Sequence, residues 1–219
     1  MDFRWDIVWS SFPYLLVGAR TTLVLTTVSV SAGIVLGTVL ALMRLSHRRL
    51  LSGVAAAYID VFRGTPLLAQ ILFVFYGLPQ VLGFPLSSLT AGLLALSLNS
   101  AAYVAEIVRS GIQSVEKGQI EAAQSTGMTH GQIMRYIVLP LAFRRIIPPL
   151  GNEFIAMLKD SSLVSVIALE DLMRRGQLLG SRTFRYFEVL LAVTVMYLVL
   201  TRAVSYLVGR LERRLRVAA

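Results

Sequence analysis

The chain has 219 residues, of which 56% are apolar and only 15% charged, a composition far from that of a soluble globule. Its 21 bases and 12 acids leave a formal charge of +9, but apolar runs this long exclude a disordered segment or a basic nucleic-acid domain and direct the charge toward lipid head groups or acidic partners. With no cysteine, disulfide frameworks, thiol catalysis and cysteine-held metal clusters are excluded, and His47 and His130, far apart and set among polar neighbours, do not suggest a metal site.

The amino-terminal residues 1–9 carry Asp2 and Asp6 and lack the basic-then-apolar pattern of a cleaved signal, so they are expected to be retained. Trp5, Trp9 and Tyr14 suit a membrane interface, where one edge of a ring stays wet. Between Arg20 and Arg44 lie 23 residues without a charge, enough to cross the roughly 30 Å hydrocarbon layer as a helix. This first span is rich in small residues, and Gly33 and Gly37 are either a surface for close helix approach or incidental glycines in an apolar stretch.

From Gly64 to Ala105 no charge occurs for 42 residues, twice the need of one span, and Pro79, Gly83 and Pro85 interrupt the run. Two spans are predicted, at about residues 55–78 and 89–112. Asp60 and Arg63, one helical turn apart before a Gly64-Thr65-Pro66 break, are expected to pair and so lower the cost of their place near the interface. The stretch 141–169 is apolar yet contains Pro148, Pro149, Asn152, Glu153, Lys159 and Asp160, an unusual fourth span in which the prolines are expected to place a helix break. A fifth, about 186–209, ends in a basic tail of Arg210, Arg213, Arg214 and Arg216.

Five spans put the termini on opposite sides. With the amino terminus outside, the inner segments hold twelve Lys and Arg against five in the outer ones, the orientation the positive-inside rule favours. Arg174, Arg175, Arg182 and Arg185 depart from the rule in the last outer loop, which reads as a docking surface or an interfacial helix. No P-loop, dinucleotide turn or GxSxG elbow is present.

The inner segment 114–140 is organised. A short helix through Glu121, Ala122 and Ala123 can stop at Gly127, which takes a left-handed conformation cheaply, and Thr129 with Gln132 has the form of a capping box for a second helix that Pro140 would end. Ala122 and Ala123 leave a shallow face for a protruding partner, and Ile133, Ile137 and Leu139 are candidates to anchor the second helix to the bundle.

The order Glu121-Ala122-Ala123, Gly127, Ile137, Leu139-Pro140 resembles the EAA signature of the membrane subunits of bacterial ABC importers, a pattern with too many fixed positions to be a chance match. Arg63-Gly-Thr-Pro-Leu-Leu68, Tyr76-Gly-Leu-Pro79, Asn99-Ser-Ala-Ala-Tyr103 with Glu106, Arg109, Gly111 and Ile112, and Leu158-Lys-Asp-Ser-Ser-Leu163 are similar to the branch that imports polar amino acids. The resemblance implies an all-α integral membrane protein, about five transmembrane helices forming one permease domain over 1–219, with a cytoplasmic coupling-helix segment at about 114–140. It implies a place in the bacterial cytoplasmic (inner) membrane, with the carboxyl terminus inside. Its implied partners are ABC ATPase subunits that hold ATP and Mg, a second permease subunit identical or related, and an extracytoplasmic amino-acid-binding protein. This chain would carry no cofactor and bind no nucleic acid. Glu121, Ala122, Ala123, Gly127, Leu139 and Pro140 are then the ATPase-coupling residues, with Glu121 as the charged contact.

Ionisable groups inside a span face a polar path or a partner. Glu153 and Asp160 are seven residues apart and share a helix face, and Asn99, Tyr103 and Glu106 form a second polar stripe able to face it. For a zwitterionic amino acid, Lys159 and Asn99 would meet the carboxylate and Asp160 the ammonium, leaving Glu153 for a cationic or amide side chain. Lys159 and Asp160 read equally well as a structural pair, and Glu106 as a partner of Arg109 or part of an inner gate. A self-sufficient secondary transporter or channel is the rival reading, but no inverted repeat supports it.

Overall fold

The computed structural model describes residues 4–217, with side chains described through Arg213. Asp2 therefore lies outside the described residues, as do the side chains of Arg214 and Arg216. The architecture is all-α, and no strand occurs among the described residues. Three helices are long and apolar enough to cross a membrane, α1 (Trp5–Leu45), α5 (Ser88–Gln113) and α10 (Tyr186–Val217) over its part to Arg213. A fourth span is counted if the bent pair α2 (Arg49–Gly64) and Leu67–Leu82 crosses as one.

α5 is the most buried of the long helices and is capped by Ser87, whose hydroxyl accepts from the Thr90 N–H at 3.1 Å. α1 lies along it on one line of small side chains: Thr22, Thr26, Ser29, Gly33, Gly37 and Ala41 are all buried. The glycines are there for close approach. A Cβ at Gly37 would stand 2.6 Å from the Ala101 carbonyl oxygen, and one at Gly33 2.6 Å from the Ser100 hydroxyl. Of the two readings of this glycine pair, the structure supports the packing one.

The segment after α2 departs from expectation. At the Gly64-Thr65-Pro66 break the chain turns through 105°, far more than a kink. It continues as α3 (Leu67–Leu72), a π turn (Phe73–Gly77) and α4 (Leu78–Leu82), ending at Gly83 with φ +79°. Pro66 favours this geometry, because proline disfavours the helical region for the residue before it; Thr65 is extended. Asp60 and Arg63 do not pair either. Arg63, at the end of α2, reaches to α5 instead, 3.6 Å from Glu106, with its guanidinium 5.5 Å from the centre of the Tyr103 ring.

α6 (Lys117–Ser125), α7 (His130–Ile133) and a second π turn (Met134–Val138) lead into α8 (Leu139–Asp160). Pro140 does not end this helix. Leu139 donates to the Met134 carbonyl, five residues back, and the wide turn admits the proline ring in the first turn of α8. Pro148 and Pro149 likewise sit inside α8 without breaking it, and the helix changes only at Ser161, into a 3-10 segment (Ser161–Ile167). That segment closes onto α5 where the Ser88 hydroxyl meets the Ile167 carbonyl at 2.7 Å.

The arginine-rich segment between the last two spans forms a helix, α9 (Leu172–Thr183). Asp171 caps it, accepting from the Arg174 N–H at 2.8 Å and the Tyr197 hydroxyl at 3.1 Å. Arg175 is turned inward, ion-paired to Glu170 at 2.9 Å and stacked 4.5 Å above Tyr14 of α1, while Arg185 pairs with Glu188.

Candidate functional site

Two places concentrate polar chemistry, one between α5 and α8 and one at the elbow between α6 and α7. At about 100° per residue, Asn99, Tyr103 and Glu106 occupy one face of α5, and Glu153 and Asp160 one face of α8. The helices turn these stripes toward each other. Asn99, Tyr103, Glu153, Ala156, Met157 and Asp160 line one chamber of about 220 Å³, with Thr65 and Leu67 of the bend as a further wall. Its volume lies below the roughly 300–1,000 Å³ of drug-sized sites and matches a small solute.

Lys159 is not among the lining residues. One position before Asp160, it is rotated by about 100° from the shared face and is exposed. It therefore leaves the chamber without the cationic donor assigned to it on sequence grounds. Glu153 is only 9% exposed, and its one hydrogen bond among the described residues comes from the Ser100 hydroxyl at 3.0 Å. A carboxylate so sparsely solvated favours any cation that can reach it. Glu106, a turn farther along α5, is already held: Arg109 grips it with Nε at 2.9 Å and Nη2 at 2.7 Å, and Arg63 adds a second charge. It belongs to a latch joining α2 to α5 and does not line the chamber.

Gln70 escaped the reading of the sequence. It is 9% exposed, and its Nε2 donates to the Phe62 carbonyl at 2.8 Å, the Thr65 carbonyl at 3.1 Å and the Thr65 hydroxyl at 2.9 Å, while its Oε1 accepts from Asn99 at 2.9 Å. A lone amide between Thr65 and Tyr76 in an uncharged run was the available signal, since such a group must find partners away from lipid.

The elbow is built locally. Gly127 has φ +82°, its N–H donates to the Gln124 carbonyl at 2.9 Å, and the Met128 N–H reaches the Ala123 carbonyl at 3.3 Å, the paired bonds of a Schellman stop. Thr129 and Gln132 form the expected capping box. Ala123, Ile133 and Val138 are buried together with Val115, and the Arg145 guanidinium donates to the Ser114 carbonyl, tying the end of α5 to α8. Leu139 is not an anchor: it is 47% exposed and faces an apolar groove on the other side. Glu121 is exposed. Ala122 and Ala123, with Gln119, Thr126, Tyr136, Pro140 and Arg144, line an open groove of about 580 Å³.

The two histidines also come to one region, both lining the apolar groove of about 790 Å³ that Leu139 faces. Among the described residues, no cluster of His, Asp or Glu could hold a metal.

A helical membrane bundle with an internal polar chamber and a rigid polar elbow defines the membrane subunit of a transporter. Residues 33–217 match the family model of the binding-protein-dependent transport system inner membrane component. The chain is 43% identical over 216 residues to an arginine transport system permease protein of Bacillus subtilis (strain 168), covering 99% of each. It is 37% identical over 218 residues to a glutamine transport system permease protein of Escherichia coli (strain K12), covering 99% of this chain and 100% of that one. A crystal structure of an amino acid ABC transporter with histidines contains a chain 46% identical, with a TM-score of 0.92 over 98% of this chain and 99% of that one. The protein belongs to the family of inner membrane components of binding-protein-dependent transport systems. Its role is that of the importer's permease, and it is not itself an enzyme.

Proposed function

We propose that this permease imports polar amino acids with a cationic or amide side chain, and that the chamber between α5 and α8 is where the solute pauses. The observation that carries the reading is the convergence of two carboxylates, Glu153 and Asp160, on one small chamber with Asn99 and Tyr103 and no base among its lining residues. Asp160 would meet the α-ammonium and Glu153 a cationic side chain; the solute's carboxylate is left to the hydroxyl of Tyr103 in place of Lys159, since the Thr65 hydroxyl already donates to the Val61 carbonyl at 2.7 Å. The names of the arginine and glutamine relatives agree with this substrate class.

In this reading the chain is one permease domain whose segment 114–140 is the coupling element. Two permease subunits, identical or related, form the path, with the amino terminus outside and the carboxyl terminus in the cytoplasm. ATP and Mg are bound by partner ATPases, which grip the groove beside Glu121, Ala122, Ala123 and Pro140. Closure of the ATPases moves the elbow, which its Schellman stop and capping box allow to travel as one body. An extracytoplasmic binding protein delivers the amino acid.

The test is uptake into vesicles holding the permease, its ATPase and its binding protein. ATP-dependent accumulation of arginine or glutamine is expected. Accumulation that continues without ATP hydrolysis overturns the coupling, and unchanged selectivity in Glu153→Gln overturns the chamber as the substrate site.

A further inference from the structure

The carboxylates give the chamber its charge, but its neutral polar side chains also decide whether it offers donors or acceptors. Asn99 is the most informative, because an amide can present either. Its Nδ2 donates to Gln70 Oε1 at 2.9 Å and to the Phe62 carbonyl at 3.4 Å, which engages both of its hydrogens. Its Oδ1 has no partner among the described residues, so the atom Asn99 has free for the chamber is an acceptor.

The direction of that amide is not a local choice. Gln70 stands against the carbonyl oxygens of Phe62 and Thr65, exposed by the 105° turn where α2 ends without its next turn. Carbonyl oxygens only accept, so Gln70 can meet them only with Nε2, and Oε1 must then point to Asn99. Asn99 can answer an acceptor only with Nδ2. The polarity is passed from the backbone of the bend through two side chains to the chamber wall.

We propose that Gln70 is a selectivity-positioning residue: the carbonyls of the bend fix its amide, its amide fixes that of Asn99, and the chamber is thereby held with an acceptor where a freely turning Asn99 could offer a donor. The consequence is preference for a cationic over a neutral amide side chain. This rests on the chamber being the substrate site.

The experiment measures equilibrium binding of arginine and of glutamine to the permease–ATPase complex in nanodiscs, without the binding protein, whose own selectivity would mask that of the chamber. Gln70→Met removes the 2.9 Å acceptor and leaves Asn99 only its longer 3.4 Å bond to the Phe62 carbonyl, too weak a hold to keep the amide from turning, and the arginine-to-glutamine affinity ratio should fall by about tenfold. Gln70→Glu, nearly isosteric, keeps an acceptor for Asn99 and, protonated, a donor for one bend carbonyl; its ratio should stay within about twofold of the parent. In an Asn99→Leu background, Gln70→Met should change the ratio no further, because both act through one atom.

Gln70→Met weakening both ligands equally, or Gln70→Glu losing the ratio as fully as Gln70→Met, would overturn the proposal and reduce Gln70 to a brace. Should Gln70→Met not assemble, Gln70→Glu and Asn99→Leu still decide: the first must hold the ratio and the second must lower it. An unmodified complex that binds neither amino acid, or one whose ratio is indifferent to Glu153→Gln and Asp160→Asn together, removes the substrate site itself, an outcome distinct from loss of the Gln70 relay.

Discussion

The elbow and the chamber are both polar constructions in an apolar protein, and they are held together over different distances along the chain. At the elbow every defining bond joins residues within five positions, from Ala123 to Met128 and from Thr129 to Gln132. In the chamber the bonds join partners far apart: Gln70 to Asn99, Ser100 to Glu153, Asn99 to Phe62. The elbow's turn and cap are therefore made by short-range bonds alone. The chamber has the shape that three helices and a bend jointly allow, and a relative shift of any of them changes it. In the proposed mechanism the first transmits force and the second opens and closes, and the difference in range suits those tasks.

The sharpest way to break the contrast is Gly127→Pro. Proline cannot adopt φ +82° or donate to Gln124, so the elbow should lose its turn while insertion in the membrane is unaffected. ATP hydrolysis without net uptake is the expected result, measured side by side in vesicles; intact coupling would mean that the elbow is not the moving part.

Glu153→Gln probes the chamber at next largest effect. The amide retains an oxygen for the Ser100 hydroxyl, so architecture persists while the charge goes. A fall of about tenfold or more in kcat/KM for arginine uptake is expected, with a smaller change for glutamine.

Gly37→Val addresses the packing of α1 against α5, the helix that carries Asn99 and Tyr103. The added side chain meets the Ala101 carbonyl oxygen and Val104, and overpacking of this kind costs about 1–3 kcal/mol. Thermal unfolding in detergent should shift downward, and arginine binding should weaken with it; capture of the ATPase by the elbow should not change. Thr129→Ala is the mildest, removing one side of a capping box at a cost of typically ~1 kcal/mol. Faster amide exchange confined to His130–Ile133 is the expected signature, and exchange spreading to α5 would contradict the independence of the two regions.

The same difference in range explains what could be read from the amino acids alone. Gly127 and the Thr129/Gln132 box are written in neighbouring residues, and the elbow took the form their chemistry dictates. The pairing of stripes on α5 and α8 was legible because helical spacing fixes which residues share a face. Lys159 failed that test by a single position, and the Asp60–Arg63 pair failed because Arg63 found Glu106 and Tyr103 on another helix. Pro140, Pro148 and Pro149 read as breaks, since proline removes a hydrogen bond, but a π turn accommodates the first and α8 runs on through the other two. Gln70 was invisible because its meaning depends on a 105° turn that brings Phe62 and Asn99 to either side of it.

The π turn at Met134–Val138 couples the root of α8 to the aim of everything before it. Such a turn holds one residue more than an α-helical turn, and excising that residue would re-index the ladder, rotating the elbow by about 100° and drawing it in by about 1.5 Å relative to α8. The buried contacts of Val115, Ala123, Ile133 and Val138, and the tie from Arg145 to the Ser114 carbonyl, would have to be remade. The bearing of the elbow is thus set by a count of residues, and in the proposed mechanism a single deletion there would turn it away from the ATPase.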